Sequence, residues 1–239
     1  MKNSRDYLAL ALDNFDKKED LTRLIELTSD HIGVYKLGLE QFTRFGPAVL
    51  DAIRTSGRNI FLDLKFHDIP NTVAKAVKSA CSLDVDILTI HTQGGVEMMK
   101  AAMSAAKEYG KENSRRPKII GVTLLTSISQ QMLNEDLQVE MKTEQYVKHL
   151  AQKAVLAGLD GLVCSAADLP VVKPVLPEDF LVVTPGIRPQ GSDKGDQQRV
   201  ATPEWAIQNG ATLLVVGRPI TGAGDPGRAA EEIVKQIGS

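Results

Sequence analysis

The segment "FLDLKFHDIPNT", residues 61–72, begins like a buried strand and then places charged side chains where an apolar core would continue. Asp63, Lys65 and Asp68 stand among apolar neighbours, and Pro70 closes the run. Two interpretations of these charges are open: a structural ion pair beside a helix cap, or a catalytic site at the end of a strand. The fold predicted from the surrounding sequence bears on that choice.

Short apolar runs like the one that opens this segment recur along the whole chain. The eight runs cover residues 7–13, 32–38, 59–65, 86–91, 118–125, 161–165, 180–186 and 212–218. Their apolar residues are continuous rather than alternating, which predicts strands buried on both faces in a parallel sheet. Eight strand–helix units in 239 residues predict an α/β protein with a single-domain (β/α)8 TIM barrel over residues 1–239. An open doubly wound sheet is the alternative.

The segments between the runs carry helical periodicity. In three of them, side chains three and four residues apart share one face: Leu21, Leu24, Ile25 and Thr28; Val73, Val77, Ala80 and Cys81; and Ala230, Ile233, Val234 and Ile237. After the sixth run, "AADLPVVKPVLPED" contains three prolines, so only a short helix is predicted there.

Composition and charge limit the classes of partner. A formal net charge of −2 leaves no basic face for nucleic acid and no polybasic patch for a membrane. Cys81 and Cys164 show neither a pairing pattern nor metal-ligand spacing, which favours reduced core thiols in a cytoplasmic protein. Asp13 interrupts the first apolar run too early for a signal peptide, and no stretch approaches the roughly 18 apolar residues of a membrane span. We therefore expect a soluble, cytoplasmic protein.

Polar residues and glycines end or follow most of the eight runs, and in a barrel the chemistry lies at the C-terminal ends of the strands. They are Asp13, Lys36, Asp63, Lys65, His91, Thr126, Ser127, Arg188, Gly217 and Arg218. Singly, several have a structural explanation: Asp13 as a turn residue, Lys36 as a snorkelling lysine, and Asp68 as a cap for the helix that Pro70 opens. His67 and His91 lack a partner spaced for metal binding.

Asp63 and Lys65 fit a structural explanation less well. Residues i and i+2 of a strand point to the same face, so both charges face the barrel interior or the helices together. An unpaired charge in either place is costly, which favours paired charges at the mouth of the barrel. Carboxylates beside an ammonium favour its protonated form, whereas an imine-forming lysine must be neutral. The pattern thus favours Lys65 as a general acid.

The last two loops carry a phosphate-binding pattern. Residues 184–203 form a long polar stretch with Gly186, Gly191 and Gly195, and "VVGRPITGAGDP" follows later. Barrels often bind phosphate with the loops after strands seven and eight, where Arg188 and Arg218 lie. The loop between the seventh strand and the next helix is also long enough to serve as a lid.

These motifs resemble those of the orotidine 5′-monophosphate decarboxylase family over nearly the whole chain. The central segment fits the family signature D-x-K-x-x-D-I-P-x-T. The other matching motifs are "ALD" at 11–13, "YKLG" at 35–38, "LTS" at 125–127, "TPGIRP" at 184–189, "DQQRV" at 196–200 and "VGRPIT" at 216–221. No motif position departs from the family pattern.

The resemblance implies decarboxylation of orotidine 5′-monophosphate (OMP) to UMP in pyrimidine biosynthesis, with no cofactor or metal and with Lys65 protonating C6 of the ring. The implied catalytic network is Lys36, Asp63, Lys65 and Asp68. The implied substrate-binding residues are Asp13, Lys36, Asp63, Thr72, Thr126, Ser127, Pro185, Arg188, Gln197, Gly217 and Arg218. The resemblance further implies a homodimer in which Asp68 and Thr72 reach into the neighbouring subunit's site.

Two other functions stay open at this point. A sister group with the same barrel and D-x-K-x-x-D motif acts on sugar phosphates with Mg²⁺, as 3-keto-gulonate-phosphate decarboxylase or hexulose-phosphate synthase. Its members resemble one another in a Glu ligand on strand two, where this chain has Lys36. An ammonium in place of an anionic ligand removes that metal site. A non-enzymatic nucleotide-binding barrel is the other alternative, and the intact charge network argues against it.

Overall fold

The protein is described by a computed structural model over residues 3–189 and 201–238, in which eight parallel strands close into a barrel in chain order. The strands are β1 Leu8–Leu12, β2 Val34–Gly38, β3 Asn59–Phe66, β4 Ile87–His91, β5 Lys118–Val122, β6 Gly161–Val163, β7 Leu181–Thr184 and β8 Leu213–Val216. The ring is closed by pairing of β8 with β1. The predicted (β/α)8 TIM barrel is confirmed, and the open sheet is wrong.

Helices follow the strands and cover the outside of the barrel. They are α1 Lys18–Thr28, α2 Leu39–Phe45, α3 Leu50–Thr55, α4 Pro70–Cys81, α5 Gly95–Asn113, α6 Gln130–Glu135, α7 Thr143–Leu156, α8 Leu169–Val172, α9 Pro203–Gln208, α10 Arg218–Thr221 and α11 Pro226–Ile237. The predicted apolar faces of α1, α4 and α11 are buried, except that Val234 is only half-buried. The three prolines after β6 leave room for the four-residue α8, as predicted.

Some strands are shorter than the apolar runs that predicted them. The strand in the run 118–125 ends at Val122, and the strand in the run 180–186 ends at Thr184. Apolar residues beyond the strand still enter the core, as Leu124 does with 5% of its surface exposed. Burial therefore continues past the last hydrogen bond between strands, and an apolar run overestimates the length of its strand.

The inside of the barrel has an apolar floor with polar groups above it. The floor is a cluster of Ala9, Ala11, Val34, Phe61, Ile87, Ile120, Val183, Leu213 and Val215. Side chains alternate between the two faces of a strand, so inward positions recur every second residue. Val34, Phe61 and Ile87 of the floor lie on β2, β3 and β4. The residues two positions later on these strands are Lys36, Asp63 and Thr89, so their side chains also point into the barrel. The barrel thereby sets polar side chains directly on an apolar base.

The opposite, N-terminal end of the barrel is held by acidic side chains that precede strands. Asp86 accepts a hydrogen bond from the backbone N–H of Ile60 at 2.7 Å. Asp160 accepts one from the N–H of Ile119 at 2.8 Å and binds Arg116 through both guanidinium Nη atoms, at 2.6 and 2.8 Å. In a barrel this face serves stability, so these contacts leave the other face available for chemistry.

Both cysteines are buried and unpaired, in agreement with the prediction of core thiols. Burial raises the pKa of the Cys81 thiol to about 11 and also raises the pKa of Cys164. Within residues 3–189 and 201–238, no helix is long and apolar enough to cross a membrane.

Candidate active site

A cavity of about 350 Å³ opens at the C-terminal ends of the strands. Its volume lies at the lower end of the roughly 300–1,000 Å³ of small-molecule sites. The sequence-predicted residues that line it are Asp13, Lys36, Asp63, Lys65, Thr126, Pro185, Arg188, Gly217 and Arg218. Contributions from β1, β2, β3, β5, β7 and β8 and their loops thus converge on one site, as the strand-end rule predicts.

The charge of the cavity differs in sign from that of the chain. Among the residues that the structure describes, two carboxylates, Asp13 and Asp63, and four cationic groups line it: Lys36, Lys65, Arg188 and Arg218. The whole chain carries a formal charge of −2. A net-positive cleft above an apolar floor attracts anions, because the low-dielectric walls strengthen the field inside it.

Four of these groups form a continuous chain of ion pairs. The Nζ atom of Lys65 lies 2.7 Å from Oδ2 of Asp63, and the Nζ atom of Lys36 lies 3.7 Å from the same oxygen. Lys36 also donates a hydrogen bond to Oδ1 of Asp13 at 3.3 Å. The side chains of Lys36 and Asp63 are only 12% and 11% exposed. Removing one partner from such a pair is costly, because the remaining charge stays buried.

The backbone of Lys65 adopts a left-handed conformation, with φ of 51°. The pairing of β3 with β4 shifts register between Leu62 and Phe66, so the end of β3 is bulged. The prediction that Asp63 and Lys65 lie together is confirmed, but the regular alternation assumed for it is wrong. Left-handed backbone costs a non-glycine residue about 1–2 kcal/mol and is concentrated at functional sites.

Gly38, in the "YKLG" motif at the end of β2, allows the ion pair beside it to form. A Cβ atom at this position would lie 3.3 Å from Oδ1 of Asp13 and 3.4 Å from Nζ of Lys36. These separations are tighter than most Cβ contacts, so a Cβ atom here would require the two charged groups to shift by a few tenths of an ångström. The glycine thus makes room for the ion pair.

Several polar residues at the site were missed from the sequence. Asn14, Ser165 and Thr221 also line the cavity. Ser165 is the last residue of the sixth apolar run, so its position at a strand end is the signal that predicts it. Thr89 lies beneath the ion pairs and donates a hydrogen bond to Oδ1 of Asp63 at 2.9 Å. Its signal was a hydroxyl in the middle of the apolar run "DILTIH".

Other predicted residues do not join the cavity of their own chain. Asp68, Thr72 and Ser127 are exposed and do not line it. Asp68 accepts a hydrogen bond from the N–H of Ile69 at 2.6 Å, and no side chain caps the start of α4. The helix-cap interpretation of Asp68 is therefore wrong. Gln197 lies outside the described residues.

Two histidine rings lie against each other near Lys65. The ring centroids of His67 and His91 are 5.3 Å apart, and Nδ1 of His91 is buried without a hydrogen-bond partner among the described residues. Burial lowers the pKa of His91, and the neighbouring His67 and Lys65 lower it further. Over the described part of the chain, no group of three or more His, Cys, Asp or Glu side chains is arranged to hold a metal ion.

The fold and this site define a class: a (β/α)8-barrel enzyme with a net-positive cavity and a lysine–aspartate network at the strand ends. The family model described as "Orotidine 5'-phosphate decarboxylase / HUMPS family" matches residues 6–233. The chain belongs to this family and is a carboxy-lyase.

Individual relatives match over nearly the full chain. The orotidine 5'-phosphate decarboxylase of Moorella thermoacetica is 42% identical over 236 residues, which cover 98% of this chain and 93% of the relative. The enzyme of the same name from Shewanella sediminis is 48% identical over 222 residues, covering 92% of each chain.

Solved structures share the fold at similar coverage. The crystal structure of orotidine 5'-phosphate decarboxylase from Lactobacillus acidophilus has a TM-score of 0.85 and 36% identity, covering 97% of this chain and 99% of that one. An uncharacterised conserved protein from Geobacillus kaustophilus has a TM-score of 0.84 and 33% identity, covering 96% and 99%.

The lowered pKa of His91 predicts a loss of stability in mild acid. The unfolded chain takes up a proton at this imidazole near its usual pKa of about 6.5, whereas the folded protein does so only at lower pH. The free energy of unfolding is therefore highest above that value and falls as the pH decreases below it. We expect the fall in Tm from about pH 7.5 to about pH 5.5 to be smaller in His91→Gln than in the wild type.

The matched control is His149→Gln, which replaces an exposed histidine on α7 and should leave the wild-type fall in Tm unchanged. An equal fall in Tm in His91→Gln and the wild type would show that protonation of His91 does not affect the stability of the fold.

Proposed function

We propose that the protein decarboxylates OMP to UMP and CO2 without a cofactor, and that Lys65 donates the proton that replaces CO2 at C6. The observation that carries this proposal is the Asp13–Lys36–Asp63–Lys65 chain of ion pairs inside a net-positive cavity. Membership of the decarboxylase family supports the reaction class. The family also implies a role in pyrimidine biosynthesis, and the proposal assigns the reaction to the cytoplasm.

The proposed step balances without an external electron acceptor. The bond between C6 and the carboxylate breaks, CO2 leaves, and the electron pair stays on C6. An N–H bond of the Lys65 ammonium then breaks and its proton moves to C6, after which the neutral amine regains a proton from water. Preorganised charge must stabilise the developing carbanion, and an ammonium held at 2.7 Å by Asp63 is such a group.

The remaining cavity residues receive binding roles in this proposal. Asp13 and Lys36 bind the ribose hydroxyl groups, and Asp63 holds both lysines. Thr126 and Pro185 contact the pyrimidine above the apolar floor. The proposal also assigns a pyrimidine contact to Ser127, which is exposed next to Thr126 and does not line the cavity. Gly217, Arg218 and Arg188 bind the phosphate together with Gln197. Contacts to a phosphate that does not react still raise the rate when they help to orient the ring and close the site.

The sister group of Mg²⁺-dependent enzymes fits the site less well. The ammonium of Lys36 lies on strand two, 3.3 Å from Asp13 and 3.7 Å from Asp63, where a metal site would need an anionic ligand. A divalent cation beside an ammonium would be repelled by it. The named relatives at 42% and 48% identity are orotidine 5'-phosphate decarboxylases.

We further propose a homodimer whose active sites are completed across the interface. Asp68 and Thr72 are exposed at the start of α4, beyond the end of β3, where they can project towards another molecule. Beside them Ile69 is 66% exposed, and Leu39, the first residue of α2 after the neighbouring strand β2, is 53% exposed. Exposed apolar side chains beside a site are typical of an interaction surface. In a two-fold dimer, Asp68 of each subunit then reaches the other's Lys65.

The first test follows the ultraviolet absorbance of OMP mixed with EDTA-treated protein. We expect the absorbance to change from that of orotate to that of uracil at the same rate as with untreated protein, because Lys65 rather than a metal supplies the charge. Lys65→Ala is the control and should abolish the change. Activity that disappears in EDTA and returns with Mg²⁺ would assign the protein to the sister group. Binding of OMP without any absorbance change would make it a non-catalytic nucleotide-binding barrel.

The second test asks whether Arg218 recognises the phosphate. Arg218→Ala should lower kcat/KM for OMP about ten- to a hundredfold, the equivalent of a charge-assisted hydrogen bond worth roughly 1.5–3 kcal/mol. The same variant should spare activity on orotidine, which has no phosphate. The matched control is Arg228→Ala, at an exposed arginine on α11. Equal losses with both substrates would show that Arg218 supports the fold or the chemistry instead.

The third test mixes two inactive variants to detect a shared site. Lys65→Ala and Asp68→Ala should each be nearly inactive, because each breaks both sites of its own homodimer. After subunit exchange, a mixed dimer has one site with both substitutions and one with neither. Random pairing of equal amounts makes half the dimers mixed, so about a quarter of wild-type activity should return.

Subunit exchange is checked independently by mass-tagging one of the two chains. Mixed dimers without recovered activity would show that Asp68 acts within its own chain. A wild-type protein that stays monomeric at assay concentration would exclude the shared site directly.

A further inference from the structure

Thr89 lies at the centre of the charge network, although it does not line the cavity. It is fully buried in the middle of β4. Ile87 belongs to the interior cluster of the barrel, whereas Leu88 and Ile90 pack in the outer core. Since side chains alternate along a strand, Thr89 points inward, as Ile87 does. The hydroxyl group therefore sits between the apolar floor and the ion pairs.

The hydroxyl of Thr89 makes two hydrogen bonds to β3. It accepts one from the backbone N–H of Lys65 at 2.8 Å and donates one to Oδ1 of Asp63 at 2.9 Å. A hydroxyl has a single donor, so the bond to the carboxylate fixes its direction. One buried oxygen thus binds both the residue proposed to donate the proton and the carboxylate that holds it.

These two bonds occur where the sheet is irregular. The ladder between β3 and β4 shifts register from Leu62 to Phe66, so Lys65 bonds a side-chain hydroxyl in place of a strand carbonyl. Its left-handed φ of 51° directs the side chain back towards Asp63. With Oδ1 of Asp63 taken by Thr89, Oδ2 of the same carboxylate faces both Lys65 and Lys36.

We infer that Thr89 is a positioning residue for the decarboxylation: its hydroxyl sets the backbone of Lys65 and the rotation of the Asp63 carboxylate. The ammonium is thereby held where the proton must be delivered. This inference rests on the proposed role of Lys65 as proton donor. Thr89 itself exchanges no proton with the substrate. Small displacements of a reacting group reduce rates strongly, so a residue that touches no substrate still controls kcat.

The alternative is that Thr89 only stabilises the bulge. A purely structural role would lower Tm but leave kcat of the folded enzyme unchanged. A positioning role lowers kcat while ground-state binding of the nucleotide stays close to that of the wild type. The two roles also differ in what rescues them, since positioning requires a hydroxyl at this place.

The experiment compares Thr89→Val, which keeps the shape and removes the hydroxyl, with Thr89→Ser, which keeps the hydroxyl. Thr92→Val is the matched control, because Thr92 is also buried and donates a hydrogen bond to the carbonyl of Val122 at 2.9 Å, away from the ion pairs. We measure Tm, the affinity for UMP, and the single-turnover rate with saturating OMP for each variant.

We expect Thr89→Val to lower the single-turnover rate about ten- to a hundredfold, while its affinity for UMP changes by less than about threefold. Thr89→Ser should recover most of the rate. Thr92→Val should have a rate close to that of the wild type at a Tm lowered by loss of a comparable hydrogen bond. If Thr89→Val does not fold, Thr89→Cys replaces it, because a thiol of similar size is only a weak hydrogen-bonding group.

A wild-type rate in folded Thr89→Val would overturn the inference, and so would equal losses in the Val and Ser variants, which would indicate packing rather than the hydroxyl. Failure of the proposed function has a different signature. In that case wild-type protein does not convert OMP, or Lys65→Ala converts it as fast as the wild type.

Discussion

The carboxylate of Asp63 is the group on which the rest of the site depends. It is nearly buried, and its two oxygens hold the ammonium of Lys65 at 2.7 Å, the ammonium of Lys36 at 3.7 Å and the hydroxyl of Thr89 at 2.9 Å. Without this charge, two ammonium groups would face each other in a poorly solvated cavity. Such an arrangement is costly unless every charge is paired. The carboxylate therefore permits a concentration of positive charge that the apolar floor would otherwise oppose.

This arrangement arises from the order of neighbouring strands in the barrel and from the alternation of side chains along each strand, rather than from loops. β2, β3 and β4 are neighbours in the ring, and every second residue of each faces the interior. Lys36, Asp63 and Thr89 therefore come to one layer, directly above Val34, Phe61 and Ile87 of the floor. Side chains carried by strands are held more rigidly than side chains carried by loops. The left-handed backbone of Lys65 is the exception, and its N–H is held by Thr89 on the neighbouring strand.

The sequence was sufficient to predict the strands and helices but not the bulge that interrupts β3. The eight apolar runs predicted the strands because burial on both faces leaves a strong local signal, and the helical faces of α1 and α4 were found in the same way. The bulge at Lys65 depends on how β3 pairs with β4, a long-range contact that local periodicity does not encode. Thr89 was missed because one hydroxyl in an apolar run is usually a β-branched core residue. The cap interpretation of Asp68 failed because its carboxylate binds the adjacent N–H of Ile69 instead of an N–H in the first turn of α4.

The circular order of the strands offers a physical reason for the orientation proposed for the nucleotide. Because β8 pairs with β1, the charged groups follow one another around the rim: Arg218 after β8, Asp13 after β1, Lys36 on β2, and Asp63 with Lys65 on β3. A nucleotide presents its phosphate, its ribose and its ring in the same covalent order. The facing side, from β5 and β6, supplies apolar Val122, Leu124 and Val163. In the proposed function, the phosphate binds at Arg218, the ribose at Asp13 and Lys36, and the ring at Lys65. The order of the binding groups around the rim therefore matches the order of the three parts of the nucleotide.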